Sequence, residues 1–204
     1  DFVPDEDATA LANLKKAGAI ILGKTNLTEF AIGGSQRYSP NRNPWDLDRF
    51  TGGSSGGSGS ATAAFLCATS LGEDTGGSIR RPAAWCGLAG LRPSWGRVSR
   101  YGVAPGSWSM DQVGPISRTV EDAAITLGAI AGYDPKDSYS RDVPVPDYRR
   151  ALDGEIKGLR IGAIKELIYG EIVDPEVRDA VIKAGSVLGE LGATVEEVSL
   201  PLTI

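Results

Sequence analysis

The chain has 204 residues, 41% of them hydrophobic, and a formal net charge of −5. This composition is typical of a globular protein with one sizeable core or two small ones, and the acidic balance argues against direct binding to nucleic acid. No histidine is present, which excludes a Ser-His-Asp triad, a His-paired cysteine and a zinc site built on histidine within this sequence. We therefore expect no metal, no cofactor and no membrane span.

The two cysteines and the N-terminal residues bear on the cellular compartment. Cys67 and Cys86 lie among apolar and small residues, where buried thiols usually act as small hydrophobic side chains. That usage favours a reducing compartment, with a disulfide as the alternative. Residues 1–10 contain neither the basic nor the apolar region of a secretory signal. We expect a cytoplasmic protein, and the lack of an initiator Met suggests that the sequence starts inside a longer chain.

Helix and strand signals alternate in the first part of the chain. Residues 7–17 carry apolar positions on one helical face and are followed by Gly18, which predicts a helix. The apolar run at residues 19–22 predicts a buried strand. Asn26 and Glu29 resemble a capping box for a short helix. This alternation is typical of an α/β fold.

Two glycine-serine segments occupy the middle of the chain. Residues 52–59 include five glycines and precede an apolar stretch, residues 60–68, that predicts a helix. Since a flexible linker rarely leads directly into an apolar helix, we interpret the first segment as a tight loop against a helix start. A short strand beginning at Ser70 leads into the second glycine turn, at residues 75–78, and residues 88–117 have the pattern of turns and short strands.

Helical signals return at Thr119, which with Asp122 forms a capping box for a helix that ends at Gly132. Residues 133–156 are polar and contain prolines, which indicates a connector. Beyond it, the apolar pattern predicts a strand–helix–strand unit over residues 157–204. Its strands are expected at 159–164 and 193–200, and its helix at 175–191.

The two serine-glycine turns are the candidate site of chemistry. Consecutive glycines allow several backbone N–H groups to converge on one point, which is how a developing oxyanion is held. Ser78 closes the second turn before a predicted helix and is well placed as a nucleophile, provided that another group removes its proton. Because histidine is absent, that group must be a carboxylate or a neutral lysine, acting directly or through a hydroxyl. Ser54 and Ser55 supply such a hydroxyl.

These segments closely resemble the amidase signature family. The resemblance extends from about residue 5 to residue 132 and implies an α/β fold, with a mixed β-sheet core covered by helices on both faces, that is incomplete in this sequence. It also implies that the C-terminal strand–helix–strand unit belongs to the same domain. The matching segments are GGSSGGS at 52–58, GEDTGGSIR at 72–80, PAAWCG at 82–87 and GLRPSWGRVSRYGV at 90–103.

The resemblance assigns roles to individual residues. Ser78 is implied to be the nucleophile, and Ser54 a serine with a cis peptide bond that relays the proton to a lysine. The implied oxyanion hole consists of the backbone amides of Thr75, Gly76, Gly77 and Ser78.

Other residues near the motifs are expected to support the site. Ser55 is expected to stabilise its loop by hydrogen bonding. Asp74 and Arg80 flank the turn, either as an ion pair that braces it or as two solvated charges. Trp108 and Met110 are expected to line the pocket for the acyl group.

The lysine of the implied triad does not fall within this sequence. In the family it lies upstream of the stretch that residues 1–17 resemble. Lys24 is not its counterpart, because the family carries a lysine at that place in addition to the catalytic one. We therefore expect an internal fragment of an amidase that is inactive, or nearly so, on its own.

The function expected from the resemblance is hydrolysis of a carbon–nitrogen amide bond to a carboxylate and ammonia or an amine, through an acyl-serine. The expected substrate is a small-molecule amide, and further possibilities are a homo-oligomer or a complex with a partner subunit. One alternative is the A subunit of a tRNA-dependent amidotransferase, which takes ammonia from glutamine at the same site. Another is a non-catalytic ligand-binding relative.

Overall fold

The computed structural model describes residues 3–32 and 40–201. They fall into two compact units, Asp1–Arg150 and Ala151–Ile204. The division lies within the segment predicted as a connector. Membership of both units in one amidase domain stays a prediction.

The first unit contains four α-helices and two antiparallel sheets among its described residues. One sheet is the hairpin β1–β2, and the other has the strand order β3-β5-β4. The elements are α1 (Thr9–Lys16), β1 (Arg42–Asn43), β2 (Asp46–Phe50), α2 (Gly56–Ala63), β3 (Thr69–Glu73), α3 (Arg80–Trp85), β4 (Ala89–Gly90), β5 (Val113–Ser117) and α4 (Val120–Ile130). Short 3-10 turns occur at Glu29–Ala31 and Tyr148–Ala151.

The core of this unit lies between the three-stranded sheet and the helices α1 and α4. Every residue of β5 is buried. A cluster that includes Val98, Val113, Leu127 and Ile130 fills the space between β5 and α4. Burial of side chains of this size contributes about 1.5–3 kcal/mol each, so this cluster holds the sheet that carries the candidate site.

The cap of α4 agrees with the sequence prediction. Thr119 Oγ1 accepts a hydrogen bond from the backbone N–H of Asp122 at 3.0 Å. A serine or threonine at this position satisfies one of the free N–H groups of the first helical turn. Gly132 follows the helix with a φ of +139°, as the predicted stop signal requires.

The second unit contains the predicted strand–helix–strand arrangement. Its strands β6 (Arg160–Ile164) and β7 (Thr194–Val198) pair in parallel. The short helix α5 (Lys165–Ile168) follows β6 directly, and the crossover helix α6 (Pro175–Glu190) leads to β7. Asp174 caps α6 by accepting from the N–H of Glu176, and Pro175 occupies the first turn, where proline is tolerated.

The α/β class is confirmed. Antiparallel and parallel pairings both occur among the described strands, in separate sheets. Three local predictions are wrong. The capping box predicted for Asn26 and Glu29 does not form, because the residue before the 3-10 turn Glu29–Ala31 is Thr28, which makes no side-chain capping hydrogen bond. Residues 19–22 form no strand, and Ile20 is 86% exposed, because this apolar run has no pairing partner among the described residues. The helix predicted at 60–68 begins four residues earlier and ends at Ala63, so part of the glycine-rich loop is itself helical.

Candidate active site

The first glycine-serine loop is fixed by hydrogen bonds to two other segments. The peptide bond between Gly53 and Ser54 is cis. The Ser54 carbonyl oxygen accepts from the N–H of Thr28 at 3.2 Å, and the N–H of Ser55 donates to the Ser78 carbonyl oxygen at 3.3 Å. Residues 54 and 55 therefore lie directly beside Ser78, as the sequence predicts.

The glycines of α2 allow the helix start to approach other backbone closely. A Cβ atom at Gly57 would lie 2.2 Å from the Asn26 carbonyl oxygen, to which the N–H of Gly57 donates at 3.0 Å. No side chain fits there without displacing backbone. The tight-loop interpretation of this segment therefore has a steric reason, which a flexible linker would lack.

Ser55 connects α2 to the strand that leads into the second turn. Its hydroxyl is buried, accepts from the N–H of Glu73 at 3.2 Å and donates to the Glu73 carbonyl oxygen at 3.4 Å. It occupies the position before α2 but makes no capping hydrogen bond to that helix. This arrangement is compatible with the supporting role expected for Ser55.

The side chain of Asp74 is hydrogen-bonded to the backbone of the second turn. Its carboxylate is fully buried and accepts from the backbone N–H groups of Gly77 (2.6 Å), Ile79 (3.1 Å) and Arg80 (3.3 Å). The Arg80 guanidinium adds two hydrogen bonds of 3.0 Å. Asp74 and Arg80 therefore form an ion pair and are not two separately solvated charges.

The charge on Asp74 is stabilised by these donors. Burial raises the pKa of Asp74, but the hydrogen bonds from Arg80 and from the N–H groups of Gly77 and Ile79 outweigh it and lower the pKa to about 2. The carboxylate is consequently ionised at all physiological pH values. A charged, fully hydrogen-bonded group at this position holds the turn in one conformation.

Three of the four amides in the implied oxyanion hole have no hydrogen-bond acceptor in the described part of the chain. Among residues 3–32 and 40–201, the N–H groups of Thr75, Gly76 and Ser78 donate to no acceptor. The fourth differs from the expectation, because the N–H of Gly77 is taken up by Asp74. A buried carboxylate needs several donors, and this amide is one of them.

The two hydroxyls of the proposed relay are largely buried but not bonded to each other. Ser54 is 7% exposed and Ser78 is 5% exposed. In the described part of the chain, neither side chain forms a hydrogen bond, and none joins the two hydroxyls. The predicted residues are thus brought together through their backbones, whereas the shared hydrogen bond between their side chains is not formed.

Two acidic residues at this site have no counterpart in the sequence prediction. Asp111 lies in the loop before β5 and accepts from Thr75 Oγ1 at 2.5 Å. Glu73, at the end of β3, has a pKa raised to about 7 by burial and by the nearby charge of Asp111. Both depend on how β3 pairs with β5, and no local sequence signal indicates that register.

The remaining residues considered in the sequence analysis are Lys24, Trp108 and Met110. Lys24 is exposed and forms no ion pair in the described part of the chain, in agreement with its exclusion from the triad. Trp108 lines a cavity of about 270 Å³ together with Glu73 and Asp111, and it is 66% exposed. Met110 is 47% exposed and is absent from that lining, so the acyl-pocket assignment stays untested.

The described ranges hold neither a metal-binding cluster nor a membrane-spanning helix. No three or more Cys, Asp or Glu side chains there are grouped as a metal ion would need. No helix in those ranges combines the length and apolar character required to cross a bilayer. Cys67 and Cys86 are both free thiols, and burial raises the pKa of Cys86.

Comparison with known proteins places the chain in a family. The family model described as Amidase matches residues 1–203. The chain belongs to the amidase signature family. An aryl acylamidase whose structure is assigned to this family is 34% identical to the chain and superimposes with a TM-score of 0.86, covering 98% of this chain and 41% of that protein.

Other relatives in the amidase signature family carry more specific names. The A subunit of glutamyl-tRNA(Gln) amidotransferase from Syntrophobacter fumaroxidans is 56% identical over 207 residues, covering all of this chain and 42% of the relative. The protein of the same name from Thermotoga maritima, a solved structure, is 40% identical with a TM-score of 0.89, over 96% of this chain and 44% of the other. A peptide amidase from Stenotrophomonas maltophilia is 38% identical with a TM-score of 0.84, over 96% and 42%. The chain thus spans less than half the length of these relatives.

Proposed function

We propose that the chain carries the nucleophile and the oxyanion-binding turn of an enzyme that hydrolyses an amide C–N bond to a carboxylate and ammonia or an amine. The observation that carries this proposal is the set of unpartnered N–H groups of Thr75, Gly76 and Ser78 in a turn fixed by Asp74. Preorganised donors of this kind stabilise a developing oxyanion without reorganising during the reaction. Membership in the amidase signature family supports the same chemistry.

In the proposed reaction, Ser78 Oγ attacks the amide carbonyl carbon as its proton passes to Ser54 Oγ and the Ser54 proton passes to a neutral lysine amine. The free N–H groups stabilise the negative charge on the carbonyl oxygen. As the C–N bond breaks, the lysine returns the proton through Ser54 to the leaving nitrogen. Water then releases the carboxylate from the acyl-serine.

The proton relay depends on reorientation of at least one hydroxyl, because the structure contains no hydrogen bond between Ser54 and Ser78. The backbones of the two loops are already joined by the hydrogen bond from Ser55 N to Ser78 O. The lysine is the one that the family resemblance implies upstream of residues 1–17. Lys24, which is exposed, does not take this role.

The proposal is tested by trapping the acyl group in the full-length protein. Hydroxylamine competes with water for an acyl-serine, so wild type is expected to convert a simple amide to its hydroxamate. Ser78→Ala should reduce this rate by at least about 1000-fold, as loss of a nucleophile does. Ser60→Ala is the matched control. Ser60 lies on helix α2, which follows the loop directly, and among the described residues its hydroxyl bonds to the Arg42 carbonyl oxygen alone. Retention of hydroxamate formation by Ser78→Ala would refute the assignment.

We also propose a narrower function, in which the amide is the side chain of glutamine and the chain acts as the A subunit of a glutamyl-tRNA(Gln) amidotransferase, together with a partner subunit, in the cytoplasm. The curated relatives of that name, at 56% and 55% identity, support it over a free amidase. We further propose that residues 1–204 form part of one amidase domain, which the family match over residues 1–203 supports because it extends across both units.

The narrower proposal predicts glutaminase activity in the full-length protein that rises when charged tRNA is added together with the partner subunit. Hydrolysis of a C-terminal peptide amide, with no response to tRNA, would show a free amidase instead. In both outcomes Ser78→Ala removes the activity. A protein that binds amides without hydrolysing any of them would favour the non-catalytic alternative.

A further inference from the structure

Glu73, Thr75 and Asp111 lie on one face at the end of the β3–β5 ladder. The ladder continues beyond β3, because Asp74 and Gln112 exchange backbone hydrogen bonds of 2.8 and 3.2 Å. Side chains alternate between the two faces of a strand, and residues opposite or diagonal across a pair are close enough to interact. Residues 73 and 75 therefore share a face with residue 111, whereas Asp74 is directed to the other face, where it braces the turn.

Asp111 anchors the start of the proposed oxyanion turn from this second face. It is 2% exposed and accepts from Thr75 Oγ1 at 2.5 Å, and from the N–H groups of Gly106 and Ser107 at 2.8 and 2.7 Å. Burial raises the pKa of Asp111, but the hydrogen bonds, led by that from Thr75, outweigh it and lower the pKa. Asp111 is thus the acceptor for the side chain of Thr75, whose own N–H has no acceptor among residues 3–32 and 40–201.

Glu73 and Asp111 share this face, and neither carboxyl group forms an ion pair with a cation of the described residues. Burial and the charge of Asp111 raise the pKa of Glu73, and the charge of Arg100 lowers it by a smaller amount. The Oε1 atom of Glu73 is buried and has no hydrogen-bond partner, and both carboxyl groups line the cavity of about 270 Å³. A proton on Glu73 would be donated to Asp111 and would satisfy this group. Two carboxylates on one buried face disfavour each other's ionised form, and the charge of Asp111 raises the pKa of Glu73.

The cations near the pair are engaged elsewhere. Arg100 pairs with Asp137 at 3.8 Å, donates to the Trp108 carbonyl oxygen at 2.9 Å and lies 4.3 Å from the centroid of the Trp95 ring. Lys136 pairs with Glu6 at 3.0 Å. On the other face, Arg92 donates to the Asp74 carbonyl oxygen at 3.1 Å. The ionisable side chains that share the cavity with the pair are Arg100, Tyr101, Lys136, Asp137 and Tyr139.

We propose that Glu73 and Asp111 share one proton, and that Glu73 thereby acts as a positioning residue which keeps Asp111 bonded to Thr75 at the start of the oxyanion turn. When Glu73 loses the proton, two negative charges occupy one buried face and the Asp111–Thr75 contact weakens. The kinetic consequence rests on the proposed amidase function, whereas the proton sharing itself does not.

The sign of the pH effect follows from the raised pKa of Glu73, about 7 against an ordinary value of 4.5. The unfolded chain releases this proton near pH 4.5 and the folded chain releases it near pH 7. Stability therefore falls as the pH rises through this range and is constant above it. A variant with glutamine at position 73 keeps a donor to Asp111 and cannot ionise.

The test compares wild type with Glu73→Gln in the full-length protein, with Glu121→Gln as a control at an exposed position. The denaturation midpoint of wild type should fall relative to Glu73→Gln between pH 4.5 and pH 7 and run parallel to it above pH 7. The ratio of kcat/KM, Glu73→Gln over wild type, should be near one at pH 6 and rise at least threefold by pH 8.5. Glu121→Gln should follow wild type in both measurements.

The outcomes separate this proposal from the function proposed above. A pH-independent difference in stability between wild type and Glu73→Gln overturns the shared proton, whether or not the protein hydrolyses amides. A pH-dependent stability difference with a flat kcat/KM ratio overturns the positioning role while the amidase function stands. If the protein hydrolyses no amide, the stability profile alone still supports or overturns the shared proton. If Glu73→Gln does not fold, Glu73→Ala, which also lacks the titrating group, gives the same comparison of stability with pH.

Discussion

Replacing Asp74 with asparagine tests whether one buried carboxylate holds the proposed oxyanion turn in its conformation. Asparagine has the same shape but no charge, and its NH₂ group cannot accept from the N–H groups of Gly77, Ile79 and Arg80. The pKa of Asp74, about 2 against an ordinary 3.8, corresponds to about 2 kcal/mol of stability at neutral pH. The hydrogen bonds from Arg80 are the largest of the contributions that lower this pKa, although solvent screens the charge of the Arg80 side chain, which is 55% exposed.

The total expected effect is larger than the charge effect alone. A buried N–H group left without an acceptor costs about 1–3 kcal/mol, and the amide of the substituted side chain would leave at least one. We expect Asp74→Asn to lower the free energy of unfolding by about 3 kcal/mol. With a urea dependence of about 2 kcal/mol per molar, the denaturation midpoint falls by about 1.5 M.

The assay is urea denaturation of the full-length protein followed by circular dichroism at pH 7. Asp147→Asn is the matched control, because Asp147 accepts three hydrogen bonds of 3.1 Å from Arg149 at an exposed site, and it should leave the midpoint unchanged. The stabilisation by Asp74 is present above pH 3.8 and is lost as the pH falls towards 2. The denaturation midpoints of Asp74→Asn and Asp147→Asn should therefore converge in acid. Equal midpoints for Asp74→Asn and Asp147→Asn at pH 7 would show that the Asp74 carboxylate does not stabilise the turn.

Three further substitutions, two of them with a matched control, test other parts of the structure. Gly77→Val should reduce kcat/KM of the full-length protein by at least about 100-fold, because Gly77 has a φ of +121° that a β-branched residue does not adopt; near-normal turnover with intact folding would contradict the assigned turn. Gly57→Ala should destabilise by roughly 1–3 kcal/mol or more in thermal unfolding, since its Cβ would lie 2.2 Å from the Asn26 carbonyl oxygen. Gly128→Ala, whose Cβ would contact nothing within 4 Å in helix α4, should instead stabilise by about 0.5–1 kcal/mol. Ser99→Ala removes the 2.6 Å hydrogen bond from a buried hydroxyl to Asp134 and should cost about 1.5–3 kcal/mol in urea denaturation, with no such loss for Ser186→Ala on the exposed face of α6.

Elements with strong local signals were predictable from the sequence. The helix start at Thr119 is set by a hydrogen bond within four residues, and the strand–helix–strand unit has clear apolar periodicity. The apolar run at residues 19–22 has the composition of a strand, but a strand also needs a pairing partner, which its own sequence cannot supply. Long-range contacts also explain helix α2. It begins at Gly56, despite the low helix propensity of glycine, because the close approach of distant backbone leaves no room for a side chain.

Some residues of the candidate site could likewise be predicted from local sequence, and others could not. Its two serine loops are continuous motifs, so Ser54 and Ser78 could be predicted, as could the pairing of Asp74 with Arg80 as one of two interpretations. Glu73 and Asp111 are separated by 38 positions in the sequence and meet only through the register of β3 with β5. Which amide of the turn is occupied by Asp74 is likewise a matter of three-dimensional geometry.

The central claim is that Ser78 is the group that becomes acylated, and covalent labelling tests it most directly. The full-length protein is treated with an alkylsulfonyl fluoride, digested and analysed by mass spectrometry, with a competing amide substrate in a parallel sample. We expect one adduct, on the peptide that contains Ser78. Its formation should be slowed by the substrate and should not occur in Ser78→Ala. Amide hydrolysis that continues while Ser78 stays unmodified, or an adduct that forms on another residue and abolishes activity, would contradict it.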